Sequence, residues 1–232
     1  MKKTLIFDLG GTLVQYYERY QFPEILRKGI NRVIDRLENE NHVIPKKEII
    51  WSRVWKENYE SKDHRVRPLE GRLSRIFQLD PIEESGLLLE LCEVFMGPIF
   101  ELRKVYADTF PVLEEARLLG FKKAIVSNTP WGSPSHLWRE EVEDIGLSHL
   151  VDGVLFCRDV GWRKPAREIF SSVLELLDEK PDNCIFIGDD PRWDIIGPQA
   201  VGIETVLIRR SSIKSDFKAE SIRNLNELWS KL

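Results

Sequence analysis

Five short apolar runs stand out along the chain: 4–7 (Thr-Leu-Ile-Phe), 122–126 (Lys-Lys-Ala-Ile-Val), 153–157 (Gly-Val-Leu-Phe-Cys), 184–187 (Cys-Ile-Phe-Ile) and 204–208 (Glu-Thr-Val-Leu-Ile). Runs this short, nearly continuous in apolar character, predict strands buried on both faces. Between the later runs the apolar positions take a helical period: 109–119 closed by Gly120, 134–145 closed by Gly146, 165–178 opened by Pro165, and 193–200 closed by Gly202. Glycine past the end and proline at the start are the usual punctuation of helices. Strand-helix alternation of this kind predicts an α/β fold, a doubly wound parallel sheet.

The stretch from about 14 to 105 breaks the alternation, because some ninety residues between the first two strands exceed any ordinary βα connection. Its apolar positions fit helices: Leu26, Ile30, Val33 and Leu37; Ile50, Val54 and Trp55; Leu69, Leu73 and Ile76; then Leu88, Leu91, Phe95 and Ile99, with Pro45 and Pro68 as helix starters. The expected organisation is a core formed by 1–14 and 105–232, with 15–104 inserted as a helical module. Ligands of such sheets bind at the carboxyl ends of the strands, so a module placed there would act as a lid.

Composition narrows the class of partner. With 42% apolar and 31% charged residues and no low-complexity tract, the chain has the balance of an ordered protein. A net charge of −4 gives no basic face for nucleic acid or an anionic membrane, which leaves a small ligand as the expected partner. Cys92, Cys157 and Cys184 are widely spaced and flanked by apolar residues, as buried thiols in a reducing cytoplasm would be. The segment Met1-Lys2-Lys3 and the four residues that follow are too short for a signal sequence, and no run approaches a membrane span. Histidines 42, 64, 136 and 149 do not fall at zinc-ligand spacings.

Candidate chemistry collects at the ends of the apolar runs. Asp8 ends the first and is followed by Gly10-Gly11-Thr12. Alone, this is βα-turn chemistry; as a site, the Asp8 carboxylate would attack phosphorus while small residues let backbone N–H groups approach the phosphoryl oxygens. Gly11, Thr12 and Asn128 are the candidate substrate-binding positions, with Thr12 bracing the loop. Ser127-Asn128 ends the second strand, where a hydroxyl and an N–H can hold a phosphoryl oxygen. Lys164, before Pro165, can neutralise the charge shared by nucleophile and phosphate. Asp189, Asp190 and Asp194 place three carboxylates within six residues after a buried strand, which suits Mg²⁺.

In this order the elements resemble the haloacid dehalogenase-like superfamily of aspartate-nucleophile phosphatases. Its first motif is met by Phe7-Asp8-Leu9-Gly10-Gly11-Thr12-Leu13 and its second by Ala124-Ile125-Val126-Ser127-Asn128. Lys164-Pro165 meets the third, and Ile187-Gly188-Asp189 through Asp194-Ile195-Ile196-Gly197 the fourth. The resemblance implies a Rossmann-like core, a type-1 helical cap, and hydrolysis of a small phosphorylated metabolite through an aspartyl-phosphate on Asp8. It also implies Mg²⁺ held by Asp8, the Gly10 carbonyl and Asp189, with Asp194 as ligand or support and Asp190 as an alternative.

One position departs from the pattern. Most phosphatases of this superfamily carry a second Asp two residues after the nucleophile, which protonates the leaving oxygen and later activates water; here that residue is Gly10. Glu18, His42, Asp63, His64 or the substrate itself are the candidates to replace it. Related dehalogenases attack carbon and lack the acidic fourth motif. Phosphonate hydrolases use a cap lysine, for which Lys28, Lys46, Lys47, Lys56 and Lys62 are available. A weakly catalytic or inactive protein that binds phosphorylated ligands is the remaining alternative. Tyr16, Tyr17, Tyr20 and Phe22 are candidates to stack on a substrate, and Lys62, Arg65, Arg67, Arg72 and Arg75 to meet a second anionic group.

Overall fold

A computed structural model describes residues 4–210 and 217–231; residues 1–3, 211–216 and 232 of the expected core segments lie outside the described residues. The five strands expected from the apolar runs are all present. In chain order the elements begin with β1 (Thr4–Phe7), β2 (Val14–Gln15), α1 (Phe22–Asn39), α2 (Lys47–Glu57), α3 (Leu69–Phe77), α4 (Ser85–Phe100) and β3 (Lys104–Val105). There follow α5 (Thr109–Leu118), β4 (Lys122–Ser127), α6 (Ser135–Asp144), β5 (Gly153–Phe156), α7 (Cys157–Val160), α8 (Arg167–Leu177), β6 (Cys184–Gly188), α9 (Gly197–Gln199), β7 (Glu204–Ile208) and β8 (Ser221–Ile222).

Among the described residues, six strands form one parallel sheet in the order β5-β4-β1-β6-β7-β8, with β1 in its interior. Side chains alternate between the two faces of each strand. Leu5, Phe7, Ile125, Ile185 and Ile187 accordingly join one apolar cluster, and Ile6, Ala124, Val126, Cys184 and Phe186 the other. The register sets Phe7 beside Ile125 and Ile187, so the residues just after β1, β4 and β6 meet at one edge of the sheet.

Four helices occupy the chain between β2 and β3, and those two strands pair antiparallel, Val14 with Val105 and Gln15 with Lys104. The amphipathic stripes pack as the 3.6-residue period requires: Leu26, Ile30, Val33 and Leu37 on α1, and Leu88, Leu91, Phe95 and Ile99 on α4, are all buried. Trp55 differs from expectation. It sits on the outer side of α2, 54% exposed, while Ile50 and Val54 face inward.

The segment 193–200, expected as a regular helix, is instead a wider π-helical turn over Pro191–Ile196 that passes into the short α9. Pro198 has no N–H with which to continue an α-helical ladder from Asp194, and the Asp190 carboxylate caps the turn by accepting from the backbone N–H of Arg192 and Trp193. The helix expected from Pro165 starts at Arg167. Cys157 opens α7 rather than closing β5. The two-residue strands β2, β3 and β8 are too short to leave a periodic signal in the sequence. Cys92, Cys157 and Cys184 are buried. Among the described residues, no helix is long and apolar enough to cross a membrane.

Candidate active site

Strand β1 ends in a tight turn that delivers Asp8 to the sheet edge, its N–H bonded to the Ile187 carbonyl of the neighbouring strand at 2.9 Å. Gly11 takes a left-handed φ of +82°, and a Cβ there would collide with the Asp189 carboxylate. Glycine is therefore what lets the two loops approach. Gly10 is different: it is not in the left-handed region, and a Cβ would meet only Tyr16 Cδ2 at 3.6 Å.

Around Asp8 the polar side chains converge. Ser127 donates from Oγ to Asp8 Oδ1 at 3.0 Å, and Lys164 donates from Nζ to the same oxygen at 2.6 Å. Lys164 also donates to Asp194 Oδ1 at 2.6 Å, and Asp194 Oδ2 accepts from the backbone N–H of Asp190 at 3.0 Å. Asn128 is occupied with Lys164: its Oδ1 accepts from the Lys164 N–H and its Nδ2 donates to the Lys164 carbonyl. That clamp fixes the lysine's backbone while its ammonium reaches the two carboxylates.

Ligand oxygens of Asp8, Asp189 and Asp194 lie within 4.8 Å of one another. Such crowding of negative charge raises carboxyl pKa values unless a cation is near. Burial pushes Asp194 up to about 7, with Lys164 opposing and Asp8 adding to the rise. Asp189 is exposed to the cavity but enclosed by surrounding protein; that desolvation, then the charges of Asp8 and Asp194, hold it well above the ordinary carboxylate range. For Lys164, burial favours the neutral amine, but Asp194 and Asp8 outweigh it and hold the group above its usual value. The lysine is 1% exposed and Asp194 also 1% exposed. Lys164→Met would strand two buried carboxylates, a change that typically costs about 3–5 kcal/mol. Urea unfolding of the variant in a chelator is expected to show a loss of that size; a loss below about 1 kcal/mol, the scale of an exposed ion pair, would contradict the buried network.

A cavity of about 530 Å³ opens above this cluster, lined by the site loops and by residues between β2 and α3. Its walls include Asp8, Gly10, Gly11, Ser127, Asn128, Lys164 and Asp189, together with Tyr16, Tyr17 and Phe22. Thr12 stands outside this group: it is wholly buried, its hydroxyl has no hydrogen-bond partner among the described residues, and its carbonyl accepts from Arg210. Tyr20 projects outward at 77% exposure. Glu18, His42, Asp63 and His64, the candidate proton donors, do not line the cavity, and neither do Lys28, Lys46, Lys47, Lys56 or Lys62. Of the cationic candidates, Arg67 and Arg72 reach it, whereas Arg75 pairs with Glu57 and Arg65 stacks over Trp162. Asp190 leaves the carboxylate cluster, because one oxygen caps the π-helical turn and the other accepts from Arg19.

Sequence reasoning did not single out several wall residues. Trp131, from the loop after β4, donates from Nε1 to Asn58 Oδ1 at 3.1 Å and stacks on Phe95 of α4. Arg19, Glu60, Arg163, Arg192 and Trp193 line the mouth. No local motif marks them, since each reaches the cavity only through the packing of distant segments.

A family model described as haloacid dehalogenase-like hydrolase matches residues 2–202. The chain belongs to the haloacid dehalogenase-like hydrolases. A relative from Halopiger xanaduensis named ribulose-1,5-bisphosphate 5-phosphatase is 33% identical over 61% of this chain, and the match spans 57% of that protein's length. A glyceraldehyde 3-phosphate phosphatase of Methanopyrus kandleri is 27% identical over 90% of this chain and 85% of its own. Among solved structures, a haloacid dehalogenase-like phosphatase from Thermococcus onnurineus superposes with a TM-score of 0.68 at 24% identity, covering 99% of this chain and 97% of that one. A 2-haloacid dehalogenase from Pseudomonas syringae pv. tomato superposes at 0.72 with 22% identity and the same coverage. These two likenesses establish the fold of this hydrolase and leave its chemistry to the site.

Proposed function

We propose that this hydrolase is a Mg²⁺-dependent phosphatase of small phosphorylated metabolites, with Asp8 as nucleophile and residues 15–104 acting as a cap over the site. The observation that carries this reading is the Asp8 carboxylate: Ser127 and Lys164 both donate to Oδ1, which leaves Oδ2 free to attack phosphorus. Attack forms an aspartyl-phosphate and releases the leaving oxygen; water then cleaves the acyl phosphate and regenerates Asp8. Lys164 and Ser127 hold the charge that moves between carboxylate and phosphoryl group. The names of the two relatives, phosphatases of a sugar bisphosphate and a triose phosphate, support a small phosphorylated substrate.

The donor set fits a hard divalent cation, because it offers carboxylate oxygens close together. Asp8, the Gly10 carbonyl and Asp189 would hold Mg²⁺, which supplies charge neutralisation to the phosphoryl oxygens when bound. Both oxygens of Asp194 already accept from protein donors, so it serves chiefly to aim Lys164. A dehalogenase reading has no use for the acidic groups added by Asp189 and Asp194, and a phosphonate hydrolase would need a cap lysine at the cavity. A weakly catalytic phospho-ligand-binding protein is favoured only by Gly10, and turnover assays separate it from the phosphatase.

Two measurements test the reading. Beryllofluoride with Mg²⁺ mimics an aspartyl-phosphate and is expected to raise the melting temperature, a gain of about 2.7 kcal/mol at 100 times its Kd. Asp8→Asn should lose that shift; an equal shift in both proteins would remove Asp8 as the acceptor. Calorimetric titration of Asp189→Ala with Mg²⁺ should show affinity reduced by about tenfold or more, since a site of few carboxylates depends on each. Unchanged affinity would move the metal elsewhere.

A further inference from the structure

The mouth of the cavity carries a charged cluster that the reaction at Asp8 does not use. Three guanidinium groups surround the Trp193 ring, with Arg192 at 4.7 Å, Arg19 at 5.1 Å and Arg163 at 5.6 Å from its centroid. Cation–π contact favours each singly, but three like charges on one ring also repel and require anions. Two carboxylates answer them, and they are not equivalent. Asp190 accepts from Arg19 and from two backbone N–H groups, and is a buried part of the turn. Glu60 divides its oxygens between the other two arginines, Oε1 lying 3.3 Å from Arg163 and Oε2 lying 3.4 Å from Arg192. It is 38% exposed, on the loop between α2 and α3, and makes neither contact as a hydrogen bond. Pairs of that exposure are held weakly.

The charge on the cavity walls points the same way. Of the six basic side chains that line it, Lys164 is matched by Asp8 and Asp194, Arg19 by Asp190, Arg67 by Asp63 and Arg72 by Glu57, so Arg163 and Arg192 are the two that share a single carboxylate, Glu60. A phosphoryl dianion that enters with Mg²⁺ brings no net charge, so a simple monoester adds no second carboxylate or phosphate for this pair. A ligand with a further anion would supply one.

We infer that Arg163 and Arg192 form a second anion subsite, filled in the free protein by the Glu60 carboxylate, and that the substrates are small phosphomonoesters with a second anionic group, phosphate or carboxylate, at the far end. The inference rests on the phosphatase reading for the place of the first phosphate. Glu60 acts as an internal stand-in: its carboxylate bridges two guanidiniums as two oxygens of a phosphate or carboxylate would. Entry of the ligand's distal anion displaces it toward solvent.

Matched ligands test this without depending on turnover. Calorimetric titration of Asp8→Asn protein in Mg²⁺ compares ribulose 5-phosphate with ribulose 1,5-bisphosphate, and glyceraldehyde 3-phosphate with 3-phosphoglycerate. The doubly anionic member of at least one pair is expected to bind about tenfold or more tightly, as charge-assisted contacts to arginine allow. Gain in the first pair alone marks a phosphate subsite, and gain in the second alone a carboxylate subsite. Glu60→Gln should widen the ratio by removing the competitor, an outcome that a merely structural glutamate would not give, while Arg163→Gln and Arg192→Gln should narrow it. Equal affinities within both pairs, unaltered by Glu60→Gln, would overturn the subsite and leave the phosphatase reading standing. Failure of every phosphorylated ligand to bind would overturn both.

Discussion

Asp8→Asn is expected to lower kcat for p-nitrophenyl phosphate by at least about 10⁴-fold, the order of loss seen when an enzyme's nucleophile is removed. The amide keeps the shape of the carboxylate, and its carbonyl oxygen can still accept from Ser127 and Lys164, but it has no anionic oxygen to attack phosphorus. The substitution also removes one negative charge from a crowded cluster. Asp8 is among the causes that raise the pKa of both Asp189 and Asp194, so their pKa values should fall in the variant and the metal-free fold should be at least as stable. Steady-state kinetics and urea unfolding of the same preparation check both halves. Turnover within tenfold of the original, from a folded variant, would place the nucleophile elsewhere.

The second large effect concerns the leaving group. On the proposed phosphatase reading, the lack of a carboxyl at residue 10 would make the leaving oxygen depart unprotonated, and a missing general acid typically costs about 10²–10⁴ in rate. The cavity does not replace it with another carboxyl group. Apart from the clustered carboxylates, the acidic side chains at its walls are Glu60, paired with Arg163 and Arg192, and Asp190, bound by Arg19 and backbone N–H groups. Tyr17 is a weak acid here, pushed up to about 12 by burial. Aryl and acyl phosphates, whose leaving groups are stable anions, should therefore exceed alkyl phosphates by that factor.

Gly10→Asp should raise alkyl turnover about tenfold or more and change aryl turnover little. The backbone permits the test, because a Cβ at Gly10 meets only the edge of Tyr16 at an ordinary contact distance. A plot of kcat/KM against leaving-group pKa reads the result, steep for the wild type and flatter for the variant. Equal turnover of alkyl and aryl phosphates by the wild type would mean that a cavity tyrosine or the substrate supplies the proton.

What the sequence determined by itself is the part of this protein written in local pattern. The five long strands carry continuous apolar runs, the helices between β2 and β3 carry 3.6-residue stripes, and both arise from which faces of a short segment must leave water. The order of Asp8, Ser127-Asn128, Lys164-Pro165 and Gly188-Asp189 was legible for the same reason: each stands directly after a strand or before a helix, so its place at the sheet edge follows from its element. Family membership follows from that order and from the match over residues 2–202.

Tertiary structure alone decided which side chains share the cavity. Whether Asp190 or Asp194 turns toward Asp8 depends on a π-helical turn set by Pro198 and by the Asp190 cap, a choice among competing backbone hydrogen bonds that residue spacing cannot express. Glu60, Arg163 and Arg192 meet because the loop between α2 and α3 folds back onto the loop before Lys164, where Val66 bonds to the Gly161 carbonyl and Arg163 to the His64 carbonyl. Charged residues on such loops look like solvated surface in a one-dimensional pattern. Their partners lie about a hundred residues or more away in the chain, and only the folding of these loops onto one another brings them within the few ångströms at which opposite charges act strongly on one another.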